Sequence, residues 1–149
     1  MERTLIIVKP DAMQRGLATE LLGRIERRGL RFAGLKLLRI SPELAARHYA
    51  EHQGKSFYEG LVRYITSCPV IVAAIEGPDA VAAVRQLMGK TKPTEAAPGT
   101  IRADFALTIG YNLIHGSDGV ESAQRELSIF FKSEELHDYT RDIDRWIAE

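Results

Sequence analysis

Asn112-Leu113-Ile114-His115-Gly116-Ser117-Asp118 is the stretch on which the fold reading turns, because it reads as a polar, histidine-bearing junction between a strand and a helix. Upstream, Phe105, Leu107 and Ile109 alternate with Asp104, Ala106 and Thr108, the pattern of a strand with one buried face. Downstream, Asp118 stands three positions before Glu121, the spacing of a capping box that opens a helix. A helix N-terminus presents free N–H groups and a positive partial charge, so an anion beside His115 is favoured there. An imidazole is also the side chain best able to exchange a proton or a covalent group near neutral pH. A histidine that merely satisfies a turn has the same local pattern.

Working outward, Thr4 to Val8 is a short β-branched run that stops at Lys9-Pro10-Asp11. A run without alternation predicts a central strand covered by a second layer. Leu17, Leu21, Leu22 and Ile25 recur at helical spacing, with Arg24, Arg27 and Arg28 opposite and Gly29 as the stop. Arg31 to Ile40 reads as a second strand, with Gly34 a bulge or a point of close approach. Ser41-Pro42-Glu43 is a helix start, and that helix is expected to run past Tyr49, with another over Phe57 to Tyr64. Val70 to Ile75 is a third strand. Gly77-Pro78-Asp79 then opens a helix with Ala80, Val81, Val84, Leu87 and Met88 on one face.

Between Gly89 and Thr100 periodicity disappears, and Pro93, Pro98 and Gly99 mark a loop long enough to suggest a functional role. The fourth strand, the last main helix and a polar tail with Tyr139 and Trp146 complete the chain. The order βαββαβ with extra helices predicts an α+β sandwich of the ferredoxin-like kind: a four-stranded antiparallel sheet with helices packed on it. Residues 1–149 are expected to form a single domain.

Lys+Arg and Asp+Glu both number 20, so the net charge is zero. That argues against a broad basic face and against nucleic acid as the primary partner, while leaving room for a local basic site. The single cysteine, Cys68, cannot form an internal disulfide, and no Cys/His spacing suggests zinc. The chain has no apolar run long enough for a membrane span and no signal-peptide pattern, so a cytoplasmic location without membrane contact is expected.

Phosphoryl transfer depends on positioning and charge neutralisation. No Walker-type loop or protein-kinase motif set is present. Candidate phosphate ligands stand near element ends instead: Lys9 after the first strand, Arg85 on a helix, Thr91 in the long loop and Arg102 before the fourth strand. An arginine on an amphipathic helix is ordinarily solvated. Lys9 is less ordinary, because carboxyl ends of central strands border sites. Glu126, eleven residues after His115, would orient the imidazole if its helix folds back over the strand. By spacing alone a surface glutamate paired with Arg125 is the preferred reading. Tyr49 and Phe57 read as core aromatics, although the polar stretch before Phe57 allows an exposed ring able to stack on a base. His48, His52 and His137 have no partner pattern and receive no role.

Taken together, these segments resemble a nucleoside diphosphate kinase over nearly the full length. The resemblance rests on Arg3-Thr4-Leu5 through Val8-Lys9-Pro10-Asp11, Gln14-Arg15-Gly16, His48-Tyr49, Phe57 with Gly60-Leu61-Val62, Pro98-Gly99-Thr100-Ile101-Arg102 with Asp104-Phe105, and above all Asn112-x-x-His115-Gly116-Ser117-Asp118. It implies transfer of the γ-phosphate of a nucleoside triphosphate to a nucleoside diphosphate, by a ping-pong route through phosphohistidine at His115. It further implies that Lys9, Arg85, Thr91 and Arg102 hold the phosphates, that Phe57 stacks on the base, and that Lys9 and Asn112 reach the sugar. Glu126 and Tyr49 would position His115. Ser117 and Asp118 would support the histidine turn, with Asp118 reaching Mg²⁺ through water while the nucleotide phosphates hold the ion. ATP is the expected donor.

Lys92, Gly119 and Ala103 depart from residues common in the family, and tuning rather than loss of activity is expected. A binding module that kept the fold, or a ligand-sensing module, is an alternative, but neither needs a nucleophile. The long loop and the tail to Trp146 and Glu149 resemble the hexameric members, so a homohexamer is expected rather than a tetramer.

Overall fold

The computed structural model describes all 149 residues. Its sheet has the order β2-β3-β1-β4 and is antiparallel throughout, with β1 at Glu2–Val8, β2 at Arg31–Leu38, β3 at Val70–Gly77 and β4 at Ile114–Gly116. The helices are α1 (Pro10–Gln14), α2 (Ala18–Arg27), α3 (Pro42–His48), α4 (Tyr58–Ile65), α5 (Ala80–Met88), α6 (Ile101–Phe105) and α7 (Val120–Phe130). This is the ferredoxin-like arrangement expected from the order of elements, with α3 and α4 inserted between β2 and β3.

The unalternating run in β1 has a direct cause. Ile6 and Val8 pack with Leu21, Ile25, Val84 and Met88 on one face, while Leu5 and Ile7 pack with Ala45, Ile65 and Phe130 on the other. All four strand residues are fully buried. At roughly 1.5–3 kcal/mol per fully buried aliphatic side chain, this strand anchors both layers. Gly34 lies at a register irregularity between β2 and β3, and a Cβ there would meet Glu135, Leu136 and Phe131 at 3.0 Å. It is thus both a bulge and a close approach. Ser41 caps α3 by accepting the Leu44 N–H at 3.1 Å, and Gly29, with φ of 108°, follows the end of α2. No helix is long and apolar enough to cross a membrane.

Three expectations are corrected. Residues 104–109 do not form the fourth strand: Ile101–Phe105 is helix α6, and Leu107 and Ile109 are 83% and 60% exposed. Their alternation is apolar without being buried, which periodicity alone cannot distinguish. The true β4 is three residues long and contains His115, so the histidine is a strand residue rather than part of a turn after one. Second, α3 ends at His48, and a separate 3₁₀ turn, Ala50–His52, follows Tyr49. Third, α7 is capped one residue later than the Asp118–Glu121 spacing suggests. Gly119 is the N-cap, its N–H donates to Ser122 Oγ at 2.9 Å, and the Ser122 hydroxyl in turn donates to Asp118.

Candidate active site

The pairing of β4 with β1 places His115 opposite Ile7, and cross-strand partners point to the same side of a sheet. His115 therefore faces α3 and α7, the elements that pack against Ile7. Its neighbour Gly116 points to the opposite side, toward α5. A Cβ at Gly116 would lie 2.5 Å from Met88 Sδ and 3.2 Å from Val84, so a side chain here would displace Met88 and crowd the close approach of α5. That approach brings Arg85 Nη1 within 3.3 Å of the Gly116 carbonyl oxygen.

Around His115 lies a cleft of about 300 Å³. Lys9, Tyr49, Arg85, Thr91, Arg102, Asn112, Asp118 and Glu126 all line it, so residues spread over most of the chain converge on one imidazole. Phe57 is the expected nucleotide-binding residue that does not line the cleft. Its ring is half exposed and meets His52, a lining residue, edge-on at 5.4 Å between centroids, which puts it at the mouth.

Glu126 is not a surface residue. It is 4% exposed, and its Oε1 lies 2.9 Å from His115 Nε2 and accepts a 2.6 Å bond from Ser117 Oγ. Burial opposes ionisation of this carboxyl, but the bonds from His115 and Ser117 outweigh it and lower its pKa to about 2. The carboxylate is therefore ionised throughout the working range. It fixes Nε2 as the protonated ring nitrogen and leaves Nδ1 with its lone pair. Ser117 is held in turn by Leu5 on β1, whose N–H donates to Ser117 Oγ at 3.3 Å and whose carbonyl accepts from the Ser117 N–H at 3.1 Å. Arg125 lies 3.7 Å from the outer oxygen of Glu126.

The cationic wall is built as firmly. Arg102 donates to the carbonyls of Asn112 (3.2 Å), Gly89 (3.0 Å) and Ile114 (2.7 Å). Burial and the nearby Arg85 lower its pKa to about 10. Lys9 Nζ donates to Asn112 Oδ1 at 2.8 Å, and Asn112 Nδ2 donates to the Thr91 carbonyl at 3.0 Å, which ties the long loop to the site. Burial, then Arg102, lower the Lys9 pKa to about 8. Tyr49 packs its ring against His48 at 4.6 Å, and burial beside Glu126 pushes its hydroxyl up to about 12, so it remains a neutral wall.

His48 receives no role from its sequence pattern, yet it is buried and its ring meets His115 edge-on at 4.9 Å. Burial, then His115, lower its pKa to about 3, so it adds no competing positive charge. Its spacing of three from buried Ala45 on α3 is the one sequence signal that could have found it. His52, Ser122 and Arg125 also line the cleft unanticipated. Lys92 makes an exposed 3.7 Å pair with Glu95 and stays outside the cleft.

A family model described as "Nucleoside diphosphate kinase" matches residues 2–136. The chain belongs to the nucleoside diphosphate kinase family. The nucleoside diphosphate kinase of Thermomicrobium roseum is 62% identical over 147 residues, covering 99% of each chain. That of Desulforamulus reducens is 57% identical over the whole of both chains. Among solved structures, a halophilic family member from Halobacterium salinarum in complex with CDP superposes with a TM-score of 0.96 at 50% identity, covering 99% of each chain. A family protein from Babesia bovis reaches 0.97 at 41% identity, covering 99% of this chain and all of that one. The protein is accordingly an enzyme, a nucleotide phosphotransferase.

Proposed function

We propose that transfer runs by a ping-pong route in which His115 Nδ1 carries the phosphoryl group. The observation that carries this is the engagement of Nε2 by ionised Glu126, which leaves Nδ1 as the free nucleophilic nitrogen in a cation-lined cleft. The Nδ1 lone pair forms a bond to the γ-phosphorus of a nucleoside triphosphate, ATP being the expected donor. The bond from that phosphorus to the β–γ bridging oxygen breaks, and the nucleoside diphosphate leaves with the electron pair. The Nε2 proton stays in place, its positive charge balanced by Glu126. A terminal phosphate oxygen of a second nucleoside diphosphate then attacks the phosphohistidine, and Nδ1 leaves with its lone pair.

Lys9, Arg85 and Arg102 supply the positive charge that this polyphosphate chemistry requires, with Thr91 and Asn112 beside them. For the metal, His48, His115 and Glu126 bring ligand atoms within 4.8 Å of one another, but nitrogen donors suit transition metals and the Glu126 Oε1 is already engaged. The exposed carboxylate of Asp118 at the cleft edge fits Mg²⁺ better, because this ion prefers oxygen, keeps waters and arrives with phosphates. Bound Mg²⁺ would neutralise phosphate charge.

The decisive test is to mix the protein with Mg²⁺ and γ-labelled ATP without an acceptor. An acid-labile, base-stable phosphoprotein that discharges onto GDP or CDP is expected, and absence of label with nucleotide bound would overturn the route. Two further outcomes follow from the geometry. Phe57→Ala should weaken nucleotide binding by about 1–3 kcal/mol, similarly for purines and pyrimidines, because stacking uses the face that every base has. Unchanged calorimetric affinity would remove Phe57 from the site. In the free enzyme Lys9 loses its proton as the pH rises through about 8. Nucleotide affinity should therefore fall on the alkaline side, and this limb should vanish in Lys9→Arg, whose guanidinium stays charged.

We also propose a homohexamer. Leu35 and Leu37 on the edge strand β2, and Leu107, Ile109 and Tyr111 after α6, are between 48% and 83% exposed in the single chain. Exposed apolar patches of this kind are ordinarily covered. Sedimentation should give a mass near six protomers, and a mass near four would refute it. A cytoplasmic location suits the lone, buried Cys68.

A further inference from the structure

Leu113 is fully buried and has φ of +76°, a conformation that branched side chains rarely adopt. The Ile114 N–H donates to the Asn112 carbonyl at 2.9 Å across it, so residues 112–114 form a γ-turn with positive central φ, the strained form. On either side of Leu113 stand Asn112, which binds Lys9 and Thr91, and the strand that carries His115. Strain of this kind persists only where the surroundings enforce it. The Lys9 N–H holds the Leu113 carbonyl at 2.9 Å, and the Leu113 N–H donates to Asp11 Oδ2 at 3.0 Å. The other oxygen of Asp11 accepts a hydrogen bond from the Tyr64 hydroxyl, and Tyr64 rests edge-on against Tyr111 at 5.6 Å. Asp11 lies outside the cleft lining.

We infer that Asp11, braced by Tyr64, is a positioning residue that holds the Leu113 γ-turn and through it sets His115 and Asn112 for reaction. The inference rests on the proposed phosphohistidine route. The alternative for Asp11 is electrostatic, since its charge also favours protonated Lys9. The two are separable, because asparagine keeps the geometry without the charge: its carbonyl can accept from Leu113 N–H, and its amide can donate to the Tyr64 oxygen. Alanine leaves the Leu113 N–H without a partner.

The experiment is single-turnover labelling from saturating γ-labelled ATP with Mg²⁺, together with hydrogen exchange at the Leu113 amide and thermal unfolding. Asp11→Ala, assayed where it is folded, should be labelled about 10- to 100-fold more slowly, the scale of a small misplacement of reacting groups, and should lose Leu113 amide protection. Asp11→Asn should retain both the rate and the protection. A wild-type rate in Asp11→Ala, or an equal loss in Asp11→Asn, would overturn the inference. If Asp11→Ala does not fold, Tyr64→Phe decides the matter: slowed labelling supports the brace, and an unchanged rate refutes it. Failure of the wild-type protein to take label would instead refute the phosphohistidine route itself.

Discussion

His115→Ala is expected to lose transfer by on the order of 10⁴-fold or more while binding nucleotides with nearly unchanged affinity. The separation follows from where the groups lie. The cations and the Phe57 ring stand on α5, α6, the first strand's end and the α3–α4 region, and none depends on the imidazole for its position. Alanine fits the same place in β4, opposite Ile7. The other change is at Glu126, whose carboxylate keeps the Ser117 hydroxyl as a donor after the ring is gone. Comparing kcat for transfer between two nucleotides with calorimetric binding of a diphosphate reads the two quantities apart. Residual transfer near the wild-type rate would move the nucleophile elsewhere. A collapse of binding together with rate would mean that the variant had disturbed the fold of the site.

Arg102→Ala should be damaging in two ways at once. Its guanidinium donates to the carbonyls of Gly89, Asn112 and Ile114; its removal takes one donor from each, although the Asn112 carbonyl in the strained turn keeps the Ile114 N–H. Each carbonyl left without a partner costs about 1–3 kcal/mol unless water reaches it. The same cation lines the cleft, where the proposed transfer would draw on its positive charge. The expected result is a fall in kcat/KM of about 10²–10³-fold, comparable to losing one preorganised charge-stabilising donor, together with a clearly lower Tm. Arg102→Lys should recover part of the charge effect but little of the stability, because an ammonium cannot reach three carbonyls arranged around a planar fork. Wild-type stability in Arg102→Ala would show that the turn is held by Asp11 and Lys9 without it.

Most of the architecture is legible in the chain because its causes are local. The β1 run, the Ser41-Pro42-Glu43 start, the α5 face and the Gly34 irregularity each announce themselves within a few residues. The histidine motif and its family resemblance point to residues that the fold gathers around one cleft. The errors also have local causes. A three-residue strand is too short to show a period, whereas the exposed Leu107–Ile109 alternation imitates one. His48 escapes sequence reasoning because a buried neutral histidine looks like any other helix-end residue until its neighbour across the fold is known.

Sequence spacing prefers a surface role for Glu126, and the register of β4 against β1 reverses that by turning His115 toward α7. The chain thus carries the candidate reacting groups in its motifs. Which nitrogen of His115 is free, how a depressed Lys9 pKa arises and how Asp11 and Tyr64 hold a positive-φ leucine all depend on contacts between residues far apart in sequence. Burial, hydrogen-bond pairing and charge proximity are properties of the packed state, and they exist only once the sheet and its two helical layers have closed around the site.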